Sequence, residues 1–246
     1  MALLAGRLYV GTSGFAYPSW APAFYPRRLD GPGMLASYAE RLTAVELNTT
    51  FYRRPSPAAV GGWLAATPED FRFCPRAQRG TALRALRSAD PGAAVGWLLD
   101  SLAPFSTRLG CVLLSVPSLI PRDDRALAGL LSAWPVSVSL ALELAHPPWT
   151  DNAVHCLLRE HGTALVATDR DDAPEPDLRR SGPRLYLRLR RSRYSDAALE
   201  RWAQRLEPFL EAGMDAFVFF RHDTDGTSAL RAEALAAHHG QAERGE

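Results

Sequence analysis

The chain of 246 residues contains no lysine, and all 28 of its basic residues are arginine. A Schiff-base lysine and a P-loop lysine are therefore both excluded. Any cation that touches a substrate must be arginine or histidine, and arginine favours bidentate capture of an anion over proton transfer. Cysteine is scarce as well. Cys74, Cys111 and Cys156 are far apart, odd in number and part of no CxxC pair. That excludes a disulfide framework and a zinc ribbon and fits a reducing compartment. Each sits among apolar neighbours and reads as a packed thiol. No apolar run approaches the roughly 20 residues of a membrane span, and Met1–Gly6 is too short for a signal sequence. The expectation is a cytoplasmic protein with no membrane partner. Net charge is nearly absent: +1 overall gives no general pull toward nucleic acid. Neither a GxSxG elbow nor a dinucleotide fingerprint occurs.

What is present is a regular alternation of short apolar strands and helical segments. Hydrophobic residues make up 47% of the chain, enough for one full core. Strands are expected over 7–12, 43–48, 71–76, 109–116, 136–145, 163–169, 184–190 and 216–220. Helices are expected over 33–41, 57–64, 91–102, 122–134, 151–161, 195–210 and 228–238, with Ser56 capping the second and Thr150 or Asp151 the fifth. Trp63, Trp97, Trp134 and Trp202 fall at helical core spacing. The acidic stretch after Asp169 has no helical pattern. Eight strands alternating with about seven helices are the pattern of an α/β protein with a single (β/α)8 barrel and an irregular connection between strands six and seven. A doubly wound open sheet is the alternative. One domain is expected over 1–239, with a disordered tail over 240–246.

The densest stretch is Thr43–Pro55, T-A-V-E-L-N-T-T-F-Y-R-R-P. Alternation along a strand puts Ala44, Glu46 and Asn48 on one face and Val45 and Leu47 on the other. Upstream, Gly11–Gly14 could cradle an anion with backbone N–H groups, or form a tight turn. This region, with G-T-S-G-F at 11–15, F-Y-P at 24–26, V-E-L-N-T-T-F-Y-R-R-P at 45–55, F-R-F at 71–73, L-E-L-A-H-P-P-W at 142–149 and the Asp223…Gly226 segment, resembles the YecE-like family, also called domain of unknown function 72. The resemblance covers nearly the whole chain and implies a TIM-type barrel. It implies no activity. The chain departs from the family pattern at Arg76 (usually Lys), Ser115 (usually Gln) and Ala145 (usually Arg). It also departs at Arg190-Arg191 (His-Gly) and at Arg221-His222-Asp223 (Asn-Asn-Asp). An altered substrate and a lost activity both stay open.

In a barrel, Glu46, Asn48, Arg76, Glu143, Asp169 and Arg188 would converge at the C-terminal ends of the strands, with Tyr52, His146, Trp149, His222 and Asp223 on the loops just beyond. Three functional readings follow, beside a purely structural network of ion pairs. In the first, Glu46 and Glu143, with His146, act as acid and base on a small anionic or polyol-like substrate held by Arg76 and Arg188. Paired glutamates of this kind suit a hydrolase, lyase or isomerase without an organic cofactor. In the second, Glu46, Glu143, Asp169, His146 and His222 bind a divalent metal. In the third, a non-catalytic protein uses the Arg-rich seventh strand with Trp20, Tyr52 and Trp149 to bind a ligand or single-stranded nucleic acid.

Overall fold

A computed structural model describes residues 5–242. In chain order its elements are β1 (Leu8–Thr12), α1 (Gly31–Ala39), β2 (Ala44–Leu47), α2 (Thr49–Tyr52), α3 (Pro57–Ala65), β3 (Arg72–Pro75), α4 (Thr81–Arg87), α5 (Pro91–Asp100) and β4 (Val112–Val116). There follow α6 (Asp124–Ala133), β5 (Leu140–Leu144), α7 (Asn152–Glu160), β6 (Ala164–Asp169), β7 (Arg184–Leu189), α8 (Asp196–Glu211), β8 (Asp215–Phe220) and α9 (Thr227–Ala242). Five of the helices, α1, α3, α6, α7 and α8, start where short polar side chains accept from free N–H groups. Asp30, Ser56, Asp123, Asp151 and Ser195 accept from Gly33, Ala59, Ala126, Ala153 and Ala198. Each such cap contributes about 1 kcal/mol.

The strands are parallel. Six of them hydrogen-bond in the order β1-β8-β7-β6-β5-β4, and β2 pairs with β3. Bridges span the two breaks. Ser13 pairs with Glu46 between β1 and β2, and Phe73 with Leu109 and Arg76 with Leu113 between β3 and β4. Backbone bonds reinforce them, from Gly14 N to Glu46 O (2.8 Å) and from Ala77 N to Leu113 O (2.8 Å). Gly11 is required at the first seam, since a Cβ there would lie 1.8 Å from the Ala44 carbonyl oxygen.

The strand faces divide the apolar residues in two. Outward residues such as Val45, Leu47, Leu114, Leu142 and Leu187 pack with the helices into the main core. A smaller buried cluster lies on the other face, called inner here: Tyr9, Ala44, Cys74, Cys111, Leu113, Ala141, Ala164, Tyr186, Phe217 and Phe219. The alternation expected for β2, β5 and β7 is the one observed.

Several expectations are corrected. Residues 136–139 precede β5 rather than belonging to it, and Val136 is fully exposed. Two short helices, α2 and α4, have no counterpart in the expected pattern; both are shorter than two turns, too short to show periodicity. The last helix continues through 240–242, and 243–246 lie outside the described residues. Cys156 is exposed on α7, whereas Cys74 and Cys111 are packed thiols. Trp97 is 42% exposed, its ring held beneath the guanidinium groups of Arg54 (4.5 Å) and Arg84 (5.1 Å) rather than in the core.

Candidate active site

Above the small apolar cluster, toward the C-terminal ends of the strands, the inner face changes to charge. Glu46 on β2 is fully buried. Its oxygens accept from Ser13 Oγ (2.7 Å), Tyr186 Oη (3.0 Å) and Arg188 Nη2 (3.0 Å). Arg188 Nη1 donates to Glu143 Oε1 at 2.6 Å, so one guanidinium bridges two carboxylates. Glu143, on β5, also accepts from Ser115 Oγ (2.8 Å) and Thr168 Oγ1 (3.4 Å), and its side chain retains 15% exposure. Burial, the largest single influence, would raise both carboxyl pKa values, but the Arg188 charge outweighs it together with the Arg190 charge and the Ser13 hydrogen bond at Glu46, and with the Ser115 and Arg188 hydrogen bonds at Glu143. Glu46 is brought down to about 2, and Glu143 also lies below its ordinary value. Both are ionised at neutral pH.

Two further arginines reach this layer. Arg190 Nη1 donates to Ser13 Oγ at 3.0 Å, so the Ser13 hydroxyl accepts from a cation and donates to Glu46. Arg76 Nη1 donates to Asn48 Oδ1 at 3.0 Å, and its guanidinium lies 4.4 Å from the Phe51 ring centre. Among the described residues neither arginine forms an ion pair, while Arg188 forms two. Burial and then the Arg188 charge lower the pKa of Arg190, so its cation is held against an electrostatic cost. Buried polar atoms without a protein partner occur in the same sector: Arg76 Nε, Arg188 Nε, His146 Nδ1 and both amide atoms of Gln78. Gln78 follows Cys74 and Arg76 in the strand alternation and is 8% exposed. At the rim the Tyr17 ring stacks on His222 with centres 5.2 Å apart. Tyr17 Oη and Asn48 Nδ2 both donate to the Ser13 carbonyl, at 3.1 and 3.0 Å. Burial, Arg190 and Arg221 lower the His222 pKa and favour its neutral form.

Glu46, Asn48, Arg76, Glu143 and Arg188 thus meet as expected, but with changed roles. Arg188 is neutralised by both glutamates, so the cations left for an anion are Arg76 and Arg190. Asp169 does not join them. It lies one residue past Thr168 and so on the opposite face, where it accepts from Arg191 Nε (2.7 Å) and Tyr194 Oη (2.9 Å) and fixes the loop after β7. Asp223 caps the start of α9, accepting from Gly226 N (2.9 Å) and Ser228 N (2.5 Å). Trp149 is buried in the main core, with Nε1 donating to the Ile120 carbonyl at 3.3 Å, and the cavity it lines is a small separate one with Val154, His155 and Leu165. Tyr52 is 77% exposed on α2. The Gly11–Gly14 segment is the end of β1, continued by the Ser13 bridge, rather than a tight turn or an anion cradle. Thr12 N donates to Tyr38 Oη, Ser13 N to Phe220 O and Gly14 N to Glu46 O.

The metal reading loses its donor set. Among the described residues no three of His, Cys, Asp and Glu are grouped as a cation requires, and the glutamate oxygens already accept from Arg188. The nucleic-acid reading loses Trp20 and Trp149, both buried, and Arg188, which is paired. Among the described residues no helix is long and apolar enough to cross a membrane.

Residues 9–245 match the family described as "Protein of unknown function DUF72". The chain belongs to the DUF72 family. It is 32% identical over 142 residues to the UPF0759 protein YecE of Escherichia coli K12, a match covering 57% of this chain and 49% of that protein. The matched segment thus spans about half the length of that relative. Two solved DUF72 proteins share the fold. The Thermotoga maritima protein TM1631 has a TM-score of 0.81 at 24% identity, covering 94% of this chain and 98% of its own. The Enterococcus faecalis V583 protein EF0366 has 0.78 at 18%, covering 95% and 96%.

In this DUF72 protein the unforeseen members of the site are Ser13, Tyr17, Thr168 and Tyr186, with Ser115 and Arg190 moving from family departures to direct partners. Strand alternation reaches Tyr186 and Arg190 from Arg188, and Ser115 from Leu113. Ser13 and Tyr17 lie in a loop rich in Gly and Pro, where no periodicity operates.

Proposed function

We infer that the eight strands close into a (β/α)8-type barrel. The small apolar cluster draws side chains from every strand or its immediate start, and β1 lies beside β8. That cluster then fills the barrel interior as in other such folds, and the charged layer sits where their sites are found. The two buried free thiols suit a reducing, cytoplasmic setting.

The function we propose is that of an enzyme acting on a small anionic substrate at this charged layer. The observation that carries it is the pair of cations, Arg76 and Arg190, that lack a carboxylate while Arg188 holds two. A phosphate or carboxylate would complete their neutralisation through bidentate contacts. The free Nε of Arg76 and the Gln78 amide supply further donors. Glu143, ionised and partly exposed, is the proton acceptor, and Arg188 and Ser115 hold it in place. His146, three residues beyond at the same strand exit, is the second proton carrier. Glu46 is sealed in and acts by fixing Arg188. Proton transfer beside an anionic group suits a lyase or isomerase and calls for no organic cofactor.

The test is calorimetric titration with inorganic phosphate, glycerol phosphate and malonate, on wild type and Arg190→Met. Binding of one class that weakens at least tenfold in the variant is expected. No binding by wild type at low salt removes the proposal.

A second reading has its own observation. Arg53, Arg54, Arg79, Arg84 and Arg87 are exposed and form no ion pair among the described residues, beside exposed Tyr52 and Trp97. Such a surface suits a single-stranded nucleic acid, and a steep loss of oligonucleotide binding with salt would favour it.

A further inference from the structure

Five neighbouring strands bring an unbalanced set of cations to one side of the charged layer. β7, β8 and β1 lie side by side, the Ser13–Glu46 bridge joins β1 to β2, and β2 pairs with β3. The residue immediately after each of these strands is, in turn, Arg190, Arg221, Ser13, Asn48 and Arg76. Arg190 donates to Ser13 Oγ, Asn48 Nδ2 to the Ser13 carbonyl and Arg76 to Asn48 Oδ1, each at 3.0 Å. Two guanidinium groups are thus tied to one short polar chain and not to carboxylates. Arg221 follows Phe219 in the alternation of β8, on the inner face. It lies beside Arg190: its backbone N donates to the Leu189 carbonyl (2.9 Å) and its Nη1 to the Arg190 carbonyl (3.4 Å).

The charges here do not balance. Arg188 stands between two ionised carboxylates, Glu46 and Glu143. Arg191 is matched by Asp169, and Asp223 is turned to the first amides of α9. Arg76, Arg190 and Arg221 form no ion pair among the described residues. Four arginines against two glutamates leave two positive charges at the strand ends. Burial, Arg190 and Arg221 keep neighbouring His222 neutral, so it adds none.

We propose that the anion of this site is a dianionic phosphate monoester, and that Arg221 is the third cation that holds it. The inference rests on the anion-binding reading above and narrows its ligand class. A phosphate monoester presents three acceptor oxygens and about two charges. It therefore matches both the surplus charge and the number of free guanidinium groups. A carboxylate or a phosphate diester, singly charged, leaves one cation unanswered. Internal phosphates of a nucleic acid are diesters, which sets this site apart from the exposed arginine surface.

Methyl phosphate and dimethyl phosphate share a phosphorus centre and differ in charge. Calorimetric titration at low salt and about pH 8, where the monoester is a full dianion, compares them. Wild type is expected to bind methyl phosphate about tenfold or more tightly than dimethyl phosphate. Arg221→Gln, an exposed position, should bring that ratio below about threefold and change dimethyl phosphate affinity less than about twofold. Arg221→Met takes its place should the first variant unfold. Equal binding of the two esters by wild type, or a preference that survives in a folded variant, overturns the proposal and leaves the anion reading standing. Binding of malonate but of neither ester does the same. If no anion binds wild type, both fall.

Discussion

The inner faces of the same strands carry two chemically opposite layers, the lower fully buried and the upper only partly so. The lower layer, Tyr9, Ala44, Cys74, Leu113, Ala141, Ala164, Tyr186 and Phe217, is apolar, with Tyr9 and Phe217 stacked 4.8 Å apart. The upper layer, one or two inward side chains further along seven of the strands, is Ser13, Glu46, Arg76, Ser115, Glu143, Thr168 and Arg188. The lower layer gains stability from removal of apolar surface from water, about 25 cal/mol for each Å². The upper layer forfeits hydration of at least three ions, an effective cost of several kcal/mol each before pairing offsets it. Apolar residues of similar size would pack there at less cost. The contrast therefore teaches that stability is not what the upper layer is built for. Its geometry is nevertheless rigid, because Arg188 touches both glutamates and Ser13 links Glu46 to Arg190.

The sharpest way to break the comparison is to remove the bridging cation. Arg188→Met leaves Glu46 and Glu143 buried and facing each other without the cation that pairs with both, and only the more distant Arg190 and Arg76 charges remain. A loss of about 3–5 kcal/mol is expected in urea unfolding. Combining it with Glu46→Gln and Glu143→Gln should restore most of that loss, since no isolated charge remains. No such restoration can follow Leu113→Ala in the lower layer, where the cost of about 2–5 kcal/mol is a cavity and not a charge. If the triple variant is as unstable as the single one, the ions contribute packing rather than electrostatic balance.

Acid distinguishes the layers next. The Glu46 carboxyl is held at about 2 against an ordinary 4.5. A depressed carboxyl pKa contributes stability that is fully present above about 4.5 and is lost as pH falls through about 2. Glu143 is shifted in the same direction. The lower layer holds thiols and a phenol whose pKa values burial pushes up, so it does not titrate in acid. Chemical melts from pH 7 down to pH 2 should therefore show a loss confined to that window, and Glu46→Gln should flatten it. A slope unchanged in the variant would assign acid sensitivity to the surface.

Which face of a strand a residue takes was far more legible in the sequence than which partners it meets there. Period-two alternation assigned Val45 and Leu47 outward, Glu46 and Glu143 inward, and Leu185, Leu187 and Leu189 to the helices, because a strand's geometry leaves no other choice once one face is apolar. What alternation could not supply was partnership. Arg188 and Arg190 lie on one face of β7 and look alike in sequence. Only the three-dimensional approach of β2 and β5 makes one a doubly paired bridge and leaves the other without an ion pair among the described residues. Asp169 shows the reverse error: a carboxylate at a strand end was assigned to the site, while its alternation with Thr168 already placed it on the other face. Trp149 and Asp223 failed for a different reason. Loop residues take their direction from capping and packing, as in Asp223 with Gly226 and Ser228, and no period precedes that.

The smallest expected effect on stability is also the most informative about the layers. In Glu143→Gln, the new amide oxygen still accepts from Arg188, Glu46 still neutralises that guanidinium, and Ser115 can turn its hydroxyl to accept from the amide NH2. The side chain is partly exposed, so water can serve what the protein does not. A loss of about 1 kcal/mol or less is expected in thermal or chemical unfolding. An amide cannot take up a proton at neutral pH, so turnover of a substrate found by the phosphate and carboxylate titrations should fall about 10²–10⁴-fold with its binding largely kept. That separation of stability from turnover is what a layer built for chemistry requires. A variant that melts several kcal/mol lower while binding and turnover persist would put Glu143 with the lower layer, as a residue that holds the strands together.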